Sequence, residues 1–224
     1  MVNSKIGLNN LKQHQKFWDN VAFSIGDMMP FNMDAFHKFV PNKRSAILDL
    51  GCGYGRTMNE VYKNGYDNLV GVDISSRMIE RGKRDFSFLR LIYTSDHLSV
   101  LEKNSFDAVV LLGVFTCIAE DKQQIELIEN ILKLLKKGGI IYISDFLLNN
   151  DERNVNRYNK LQNMYDGYSY GVFELNEGLL FRHHSYEWIC KLLSPFKKLY
   201  YQEKKYKTLN NHVGNGFVYM GKRV

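Results

Sequence analysis

The segment Ile47-Leu48-Asp49-Leu50-Gly51-Cys52-Gly53-Tyr54-Gly55-Arg56-Thr57 constrains the fold more than any other, because it reads as a buried strand ending in a glycine-rich turn that opens a helix. Ile47, Leu48 and Leu50 suit a parallel strand covered on both faces, and the glycines let backbone amides approach a ligand without Cβ clashes. The helix that follows turns its positive end toward whatever anion arrives. This is a place for a nucleotide-sized ligand. Dinucleotide folds use G-x-G-x-x-G to seat a pyrophosphate, whereas this chain has G-x-G-x-G with Asp49 two residues before Gly51. The expected ligand therefore lacks phosphate, and Asp49 suits a ligand ammonium group. A second strand, Asn68 to Val72, ends in Asp73, 22 residues after Gly51, where a carboxylate is positioned for ribose hydroxyls.

These residues resemble the class I S-adenosylmethionine-dependent methyltransferases, whose first motif is D-x-G-x-G-x-G. Val70-Gly71-Val72-Asp73-Ile74-Ser75 is similar to the ribose-binding second strand, and Tyr93-Thr94-Ser95-Asp96 to the adenine-contacting segment before strand four. Phe106 to Val110 resembles strand four, and Leu134 to Ile143 resembles a helix end, a Gly-Gly turn and strand five. The resemblance is close over 45–146 and looser beyond. It implies a doubly wound α/β fold with a seven-stranded, mostly parallel sheet of order 3-2-1-4-5-7-6, an antiparallel C-terminal strand pair, and a lid insertion after strand five. It also implies S-adenosylmethionine as cofactor and S-adenosylhomocysteine as product. Carried over by motif, Asp49, Gly51, Gly53 and Gly55 shape the methionine pocket, while Asp73 accepts from ribose and Ile74 and Met78 flank adenine. Asp96 accepts from the adenine amine beside Ser95 and His97, and Gly113 and Val114 lie along the methionine moiety.

A length of 224 residues suits one doubly wound domain and is short for two. Its expected parts are an N-terminal helical lid over 1–44, a cofactor-binding core over 45–146, an acceptor-side insertion over 147–184, and a final helix and strand pair over 185–224. The N-terminus lacks a signal-peptide core and no apolar run is long enough for a membrane span, so a cytoplasmic protein is expected. Cys52, Cys117 and Cys190 are too few and too scattered for a disulfide framework or zinc set, and read as buried small hydrophobes. The net charge of +6 can attract nucleic acid. Its lysines, however, alternate with tyrosines near the C-terminus and read as solvated surface.

Two short helices are expected within 11–40, one presenting Phe17, Trp18, Val21 and Ala22, the other Met33, Phe36, Phe39 and Val40 after a cap at Asn32. By the resemblance the first covers the methionine end, which puts Trp18 at the cofactor; packing on the sheet edge is the alternative. Helices follow from about Thr57 to Gly65 and from Ser76 to about Lys83. The helix from Asp121 to Lys136 buries Ile125, Ile128, Leu132 and Leu135, with Asp121 and Gln124 forming an end cap. From Asn149 to Tyr170 the chain is polar and tyrosine-rich, and a hairpin follows over 171–182. A helix near Ser185 to Leu193 and strands at Lys198–Lys204 and Gly216–Gly221 close the chain.

Methyl transfer from a sulfonium is an in-line displacement, so the protein mainly aligns, desolvates and, where the acceptor carries a proton, supplies a base. After strand four the chain reads Leu112-Gly113-Val114-Phe115-Thr116-Cys117, without the Pro-Pro-Tyr signature that grips a flipped base and without a Pro-Cys nucleophile. Only Asp145 suits a metal at the strand ends, so no metal is expected. The acceptor side then falls to the insertion. His183 and His184 are candidate bases because imidazole titrates near neutrality, and Asp145 is a further candidate catalytic group. Phe115, Tyr165, Tyr168, Tyr170 and Phe173 are candidate walls for an organic acceptor, or ordinary lid packing. The preferred reading is a monomeric or homodimeric methyltransferase of a small organic molecule, with nucleic acid and membrane partners disfavoured. An RNA-directed methyltransferase or RNA-binding factor, a non-catalytic cofactor-binding protein and an NAD-dependent enzyme are the alternatives.

Overall fold

Apolar runs covered on both faces, separated by amphipathic segments, fold here as the alternation predicts. The computed structural model describes the chain apart from residues 1, 27–28, 95–97, 99, 165–166, 176–177 and 208–211 and the side chains of 2–9. The expected contributions of Ser95, Asp96, His97 and Tyr165 thus lie outside the described residues. Strands β1 (Ile47–Leu50), β2 (Leu69–Asp73), β3 (Arg90–Tyr93), β4 (Phe106–Leu112) and β5 (Leu135–Phe146) pair in parallel. A separate hairpin follows, β6 (Val172–Glu174) with β7 (Leu180–Arg182), before the antiparallel β8 (Phe196–Lys207) and β9 (Val213–Arg223). The sheet order is β3-β2-β1-β4-β5-β9-β8, the order that the resemblance implies once the hairpin is set aside. Its direction of winding reverses between β1 and β4, so a crevice opens at the carboxyl ends of these strands.

Alternation along the strands divides the core into two layers. Leu48, Leu50, Val109, Leu111, Ile141 and Ile143 pack with Ile128 and Ile131 of α5 (Asp121–Leu134) and Ile189 of α7 (Tyr186–Leu192). Ile47, Val110 and Tyr142 face the other way, onto Phe36 of α2 (Met33–Phe39), Met58 of α3 (Arg56–Lys63) and Ile79 of α4 (Ser76–Asp85). Close approach sets sequence requirements here. A Cβ built on Gly82 of α4 would lie 2.3 Å from Leu91 Cδ1 and 2.7 Å from the Tyr54 carbonyl oxygen.

Both expected N-terminal helices are present, the first, α1 (Val2–Val21), longer than expected, while several other expectations are corrected. Asn32 does cap α2, its side chain accepting from Ala35 N–H. In α5 Ile125 is 41% exposed, while Gln124 is buried, so the core stripe runs one position off the aliphatic reading. Gln124 does not cap the helix; its amide nitrogen donates to the carbonyls of Phe115 and Ile118. The polar stretch after β5 contains a helix, α6 (Glu152–Met164), which buries Asn154, Tyr158 and Leu161. Cys52 is buried, whereas Cys190 is exposed. Among the described residues no helix is long and apolar enough to cross a membrane.

Candidate functional site

The turn after β1 is built for close approach. Gly51 has φ +76°, and a Cβ there would lie 2.7 Å from Val114 Cγ2, so the turn after β1 touches the turn after β4. Gly53 has φ +55° with nothing nearer its Cβ position than Met78 Sδ at 4.0 Å, and its N–H donates to Asp73 Oδ2 at 2.8 Å. Ser75 N–H donates to Asp73 Oδ1, also at 2.8 Å. Two backbone donors therefore aim the Asp73 carboxylate, which retains acceptor capacity for a ligand. Asp49, beside it on β1, is 4% exposed, and its Oδ2 has no partner. Burial first, then the charge of Asp73, pushes its carboxyl up to about 7, with Arg56 opposing. Gly51, Gly53, Asp49, Asp73, Ile74, Met78, Gly113 and Val114 all fall at the carboxyl ends of β1, β2 and β4 or at the start of α4.

Helix α1 lies over this crevice. Asp19 Oδ1 accepts from Ser75 Oγ at 2.6 Å and from Arg77 N–H at 3.1 Å, so α1 is pinned to the start of α4 next to Asp73. Gln15 donates to the Tyr93 hydroxyl on β3. Trp18 is half-buried, edge-on to Phe17 at 5.1 Å and beside Cys117 after β4. Arg81 donates to the carbonyls of Ala22 and Ile25 and lies 3.6 Å over the Tyr54 ring, tying the end of α1 to the glycine turn. Met29 crosses the strand ends: its carbonyl accepts from Arg56 at 2.5 Å, and its sulfur is 3.9 Å from Ser144 Oγ.

On the acceptor side the expected residues separate. His184 is 0% exposed, with Nδ1 on the Phe146 carbonyl at 3.0 Å and Nε2 on the Gln124 amide at 2.9 Å. Burial pushes it down to about 3. Asp145 is fully buried too; it accepts from the N–H groups of Phe146 at 2.7 Å and Thr116 at 3.3 Å, and burial pushes it up to about 7. Phe115 sits wholly in the core. Tyr168 packs against Leu161 and Val172, and Tyr170 is largely exposed, on the rim of a cavity of about 370 Å³ that Arg182 and Trp188 also line. Phe173 and His183 remain at the junction of α6, the hairpin and β5. His183 Nδ1 is 2.5 Å from the Tyr158 hydroxyl and 3.2 Å from the Asn149 amide, and its Nε2 has no partner among the described residues. Burial and the nearby Arg157 charge hold His183 well below its ordinary value.

A family model described as "Methyltransferase domain" matches residues 47–139. Residues 47–139 are thus similar to a methyltransferase domain, and the chain shares its fold with a solved S-adenosylmethionine-dependent methyltransferase. A tRNA N(3)-methylcytidine methyltransferase of Schizosaccharomyces pombe is 32% identical over 146 residues, 60% of this chain and 46% of the relative. The chain spans less than half the length of the curated relatives it matches. Among solved structures, a methyltransferase from Methanosarcina mazei has TM-score 0.78 at 20% identity, covering 88% of this chain and 99% of that one. Magnesium protoporphyrin IX methyltransferase from Synechocystis, solved with S-adenosylhomocysteine bound, has TM-score 0.67 at 14% identity, covering 96% and 100%.

The residues present fit the methyltransferase cofactor, S-adenosylmethionine. An orphaned, buried carboxylate oxygen on Asp49 suits an ammonium group, and the open side of Gly53 admits a ligand against backbone. Sequence reasoning named His183 but missed its partners Asn149 and Tyr158, and the staple that Gln124 makes. The spacing of Asn154, Tyr158 and Leu161 at i, i+4 and i+7 is the signal that would have revealed α6.

Proposed function

We propose that this chain transfers a methyl group from S-adenosylmethionine to a small organic acceptor held between the ends of β4 and β5, α1 and the insertion. When bound, the cofactor supplies an electrophilic methyl group on a sulfonium. The observation that carries the reading is the pair Asp49 and Asp73 at one glycine turn, one carboxylate with an orphaned oxygen and the other aimed by two backbone amides. In this reading Asp49 holds the cofactor ammonium, Asp73 the ribose hydroxyls, and Ile74 and Met78 the adenine faces. Gly113, Val114 and Trp18 enclose the methionine end and exclude water from it.

His183 is the base of this scheme. In the tautomer that places the proton on Nδ1, toward the Tyr158 oxygen, Nε2 would present a lone pair to the acceptor's proton, and burial keeps the ring neutral. His184 and Asp145 are positioning residues: their partners are the backbone of the β4 turn, the Phe146 amide and carbonyl, and Gln124. Phe173 contributes the apolar wall. Incubation with methyl-labelled cofactor and a cell metabolite extract tests the reading; label in a small, nuclease-resistant product supports it. Cofactor bound with no label transferred to any acceptor sinks it.

A second reading, transfer to RNA, is favoured by the relative named for tRNA cytidine and by the net charge of +6. Label recovered in tRNA, with binding that weakens steeply as salt rises, would establish that reading instead.

A further inference from the structure

Helix α6 carries polar groups that the fold satisfies only in part: the Arg157 guanidinium meets the Tyr158 hydroxyl, and Asp151 is the acid that opposes its charge. Arg157 is half-buried, and its guanidinium lies 3.4 Å over the face of Phe173. Its Nε is buried without a partner, and no carboxylate among the described residues lies within ion-pair distance of it. The nearest acid on its own helix end, Asp151, is committed elsewhere: Oδ1 accepts from Asn154 N–H at 3.2 Å, Oδ2 from the Asn154 amide. One turn before Arg157, Asn154 is 1% exposed with Oδ1 unpartnered. Half-burying a guanidinium without a counter-ion is costly, and proteins accept that cost where a ligand completes the site.

The surroundings give that ligand a position. The Arg157 guanidinium stands beside the Tyr158 hydroxyl, which holds His183 Nδ1 at 2.5 Å. The His183 ring packs on Phe146 at 5.4 Å, and Phe146 meets Tyr206 at 6.0 Å. The Tyr206 hydroxyl is 2.8 Å from Ser144 Oγ, which contacts Met29 over Gly113. Packed side chains, from Tyr158 through His183, Phe146, Tyr206 and Ser144 to Met29, thus link Arg157 to the turn after β4. Stacking on Phe173 fixes the plane of the guanidinium, and a fixed fork of donors matches the paired oxygens of a carboxylate or phosphate.

We infer that the small methyl acceptor carries an anionic oxygen group, a carboxylate or a phosphate, bound by Arg157 of the insertion helix while its reacting end lies at His183. This rests on the methyl-transfer reading and names its substrate class. The bound anion also offsets the positive charge that depresses His183, making the ring a better base only when acceptor is in place.

The test uses the whole chain, methyl-labelled S-adenosylmethionine and a cell metabolite extract, with products separated on an anion exchanger at neutral pH. The labelled product is expected to be retained, and phosphatase treatment distinguishes phosphate, whose retention it lowers, from carboxylate, whose retention it leaves unchanged. With that product's precursor purified, Arg157→Met, which keeps the stacking stem, should raise KM at least about tenfold with kcat changed far less. Arg157→Lys should recover part of the loss, and S-adenosylmethionine affinity by calorimetry should match the parent in both variants. A neutral or cationic product, label in nuclease-sensitive polymer, or a KM unmoved by Arg157→Met would each overturn the inference. A variant that loses kcat and cofactor affinity together would also overturn it, by showing Arg157 to be structural. Absence of any labelled product with cofactor bound removes the methyl-transfer reading first, and the inference with it.

Discussion

Asp49 is placed where its charge is disfavoured, and that makes it a sensor of the ligand it faces. Burial and Asp73 push its carboxyl up to about 7, so near neutrality a substantial fraction is protonated in the ligand-free chain. A cationic ammonium binds the ionised form. S-Adenosylmethionine affinity is therefore expected to rise with pH up to about 7 and then level, by as much as roughly tenfold per pH unit on the rising limb. Asp49→Asn should flatten that limb, and titration calorimetry across pH would show it; a pH-independent affinity in the parent chain would remove the assignment. Asp73 acts through geometry instead. Asp73→Asn is isosteric but loses the charge and one of the two oxygens that accept from Gly53 and Ser75 N–H, which at about 1.5–3 kcal/mol per bond should weaken cofactor binding roughly a hundredfold. Unchanged affinity would contradict the ribose role. These two residues were legible in the sequence because a strand, a turn and a second strand tip lie within a short stretch whose spacing is fixed by local backbone geometry. Arg157 and Tyr158 were not legible, because the inward stripe of α6 is made of Asn154, Tyr158 and Leu161, a polar pattern that reads as loop when periodicity is sought in aliphatics.

At the scale of elements, the parallel strands and α5 follow from composition, since runs such as Ile47–Leu50 and Phe106–Leu112 can be satisfied only by burial on both faces. What composition does not give is the polar wiring between elements. Gln124 on α5 joins the 3₁₀ turn Phe115–Cys117, His184 and α7 through the carbonyls of Phe115 and Ile118, the His184 ring and the Trp188 indole N–H. Its apolar neighbours hide this role, and the sequence suggests a cap. Gln124→Leu keeps volume but strands several buried partners, so a loss of about 2–4 kcal/mol in unfolding free energy is expected by denaturant titration. A loss under about 0.5 kcal/mol would mean that water replaces the amide. The clamp of α1 depends on fewer bonds. Asp19→Ala removes two of the contacts that hold α1 to α4, leaving those of Arg81 at its end, and faster hydrogen exchange in α1, with the strands of the sheet unaffected, is the expected result. Uniform exchange changes, or none, would show that apolar contacts such as Phe17 with Phe181 suffice.

Over the whole molecule these buried groups set opposing pH dependences. His14 and His184 have folded values of about 4 and about 3, below the ordinary 6.5, because burial disfavours the cation. The unfolded chain therefore binds more protons than the folded one just below 6.5, and the stability these histidines contribute is lost as pH falls through their folded values. Asp49 and Asp145 run the other way: their folded values of about 7 exceed the ordinary 3.8, so their contribution is complete below 3.8 and is lost as pH rises through about 7. Between 3.8 and 6.5 the two sets oppose each other, and the ligand-free chain should show a shallow stability maximum in that window rather than at neutrality. Cofactor binding acts on one member only. By stabilising ionised Asp49 it removes that residue's penalty at higher pH and leaves the penalty of Asp145, so saturating S-adenosylmethionine should move the pH of maximal Tm upward. Asp49→Asn should produce a shift in the same direction without cofactor, since the amide does not titrate, and further cofactor-induced movement should then largely vanish. A thermal-melt series across pH, with and without cofactor, reads all of these together. A maximum that stays put in both cases would show that the orphaned oxygen of Asp49 does not meet the ammonium, and would move the cofactor's charged end to another part of the crevice.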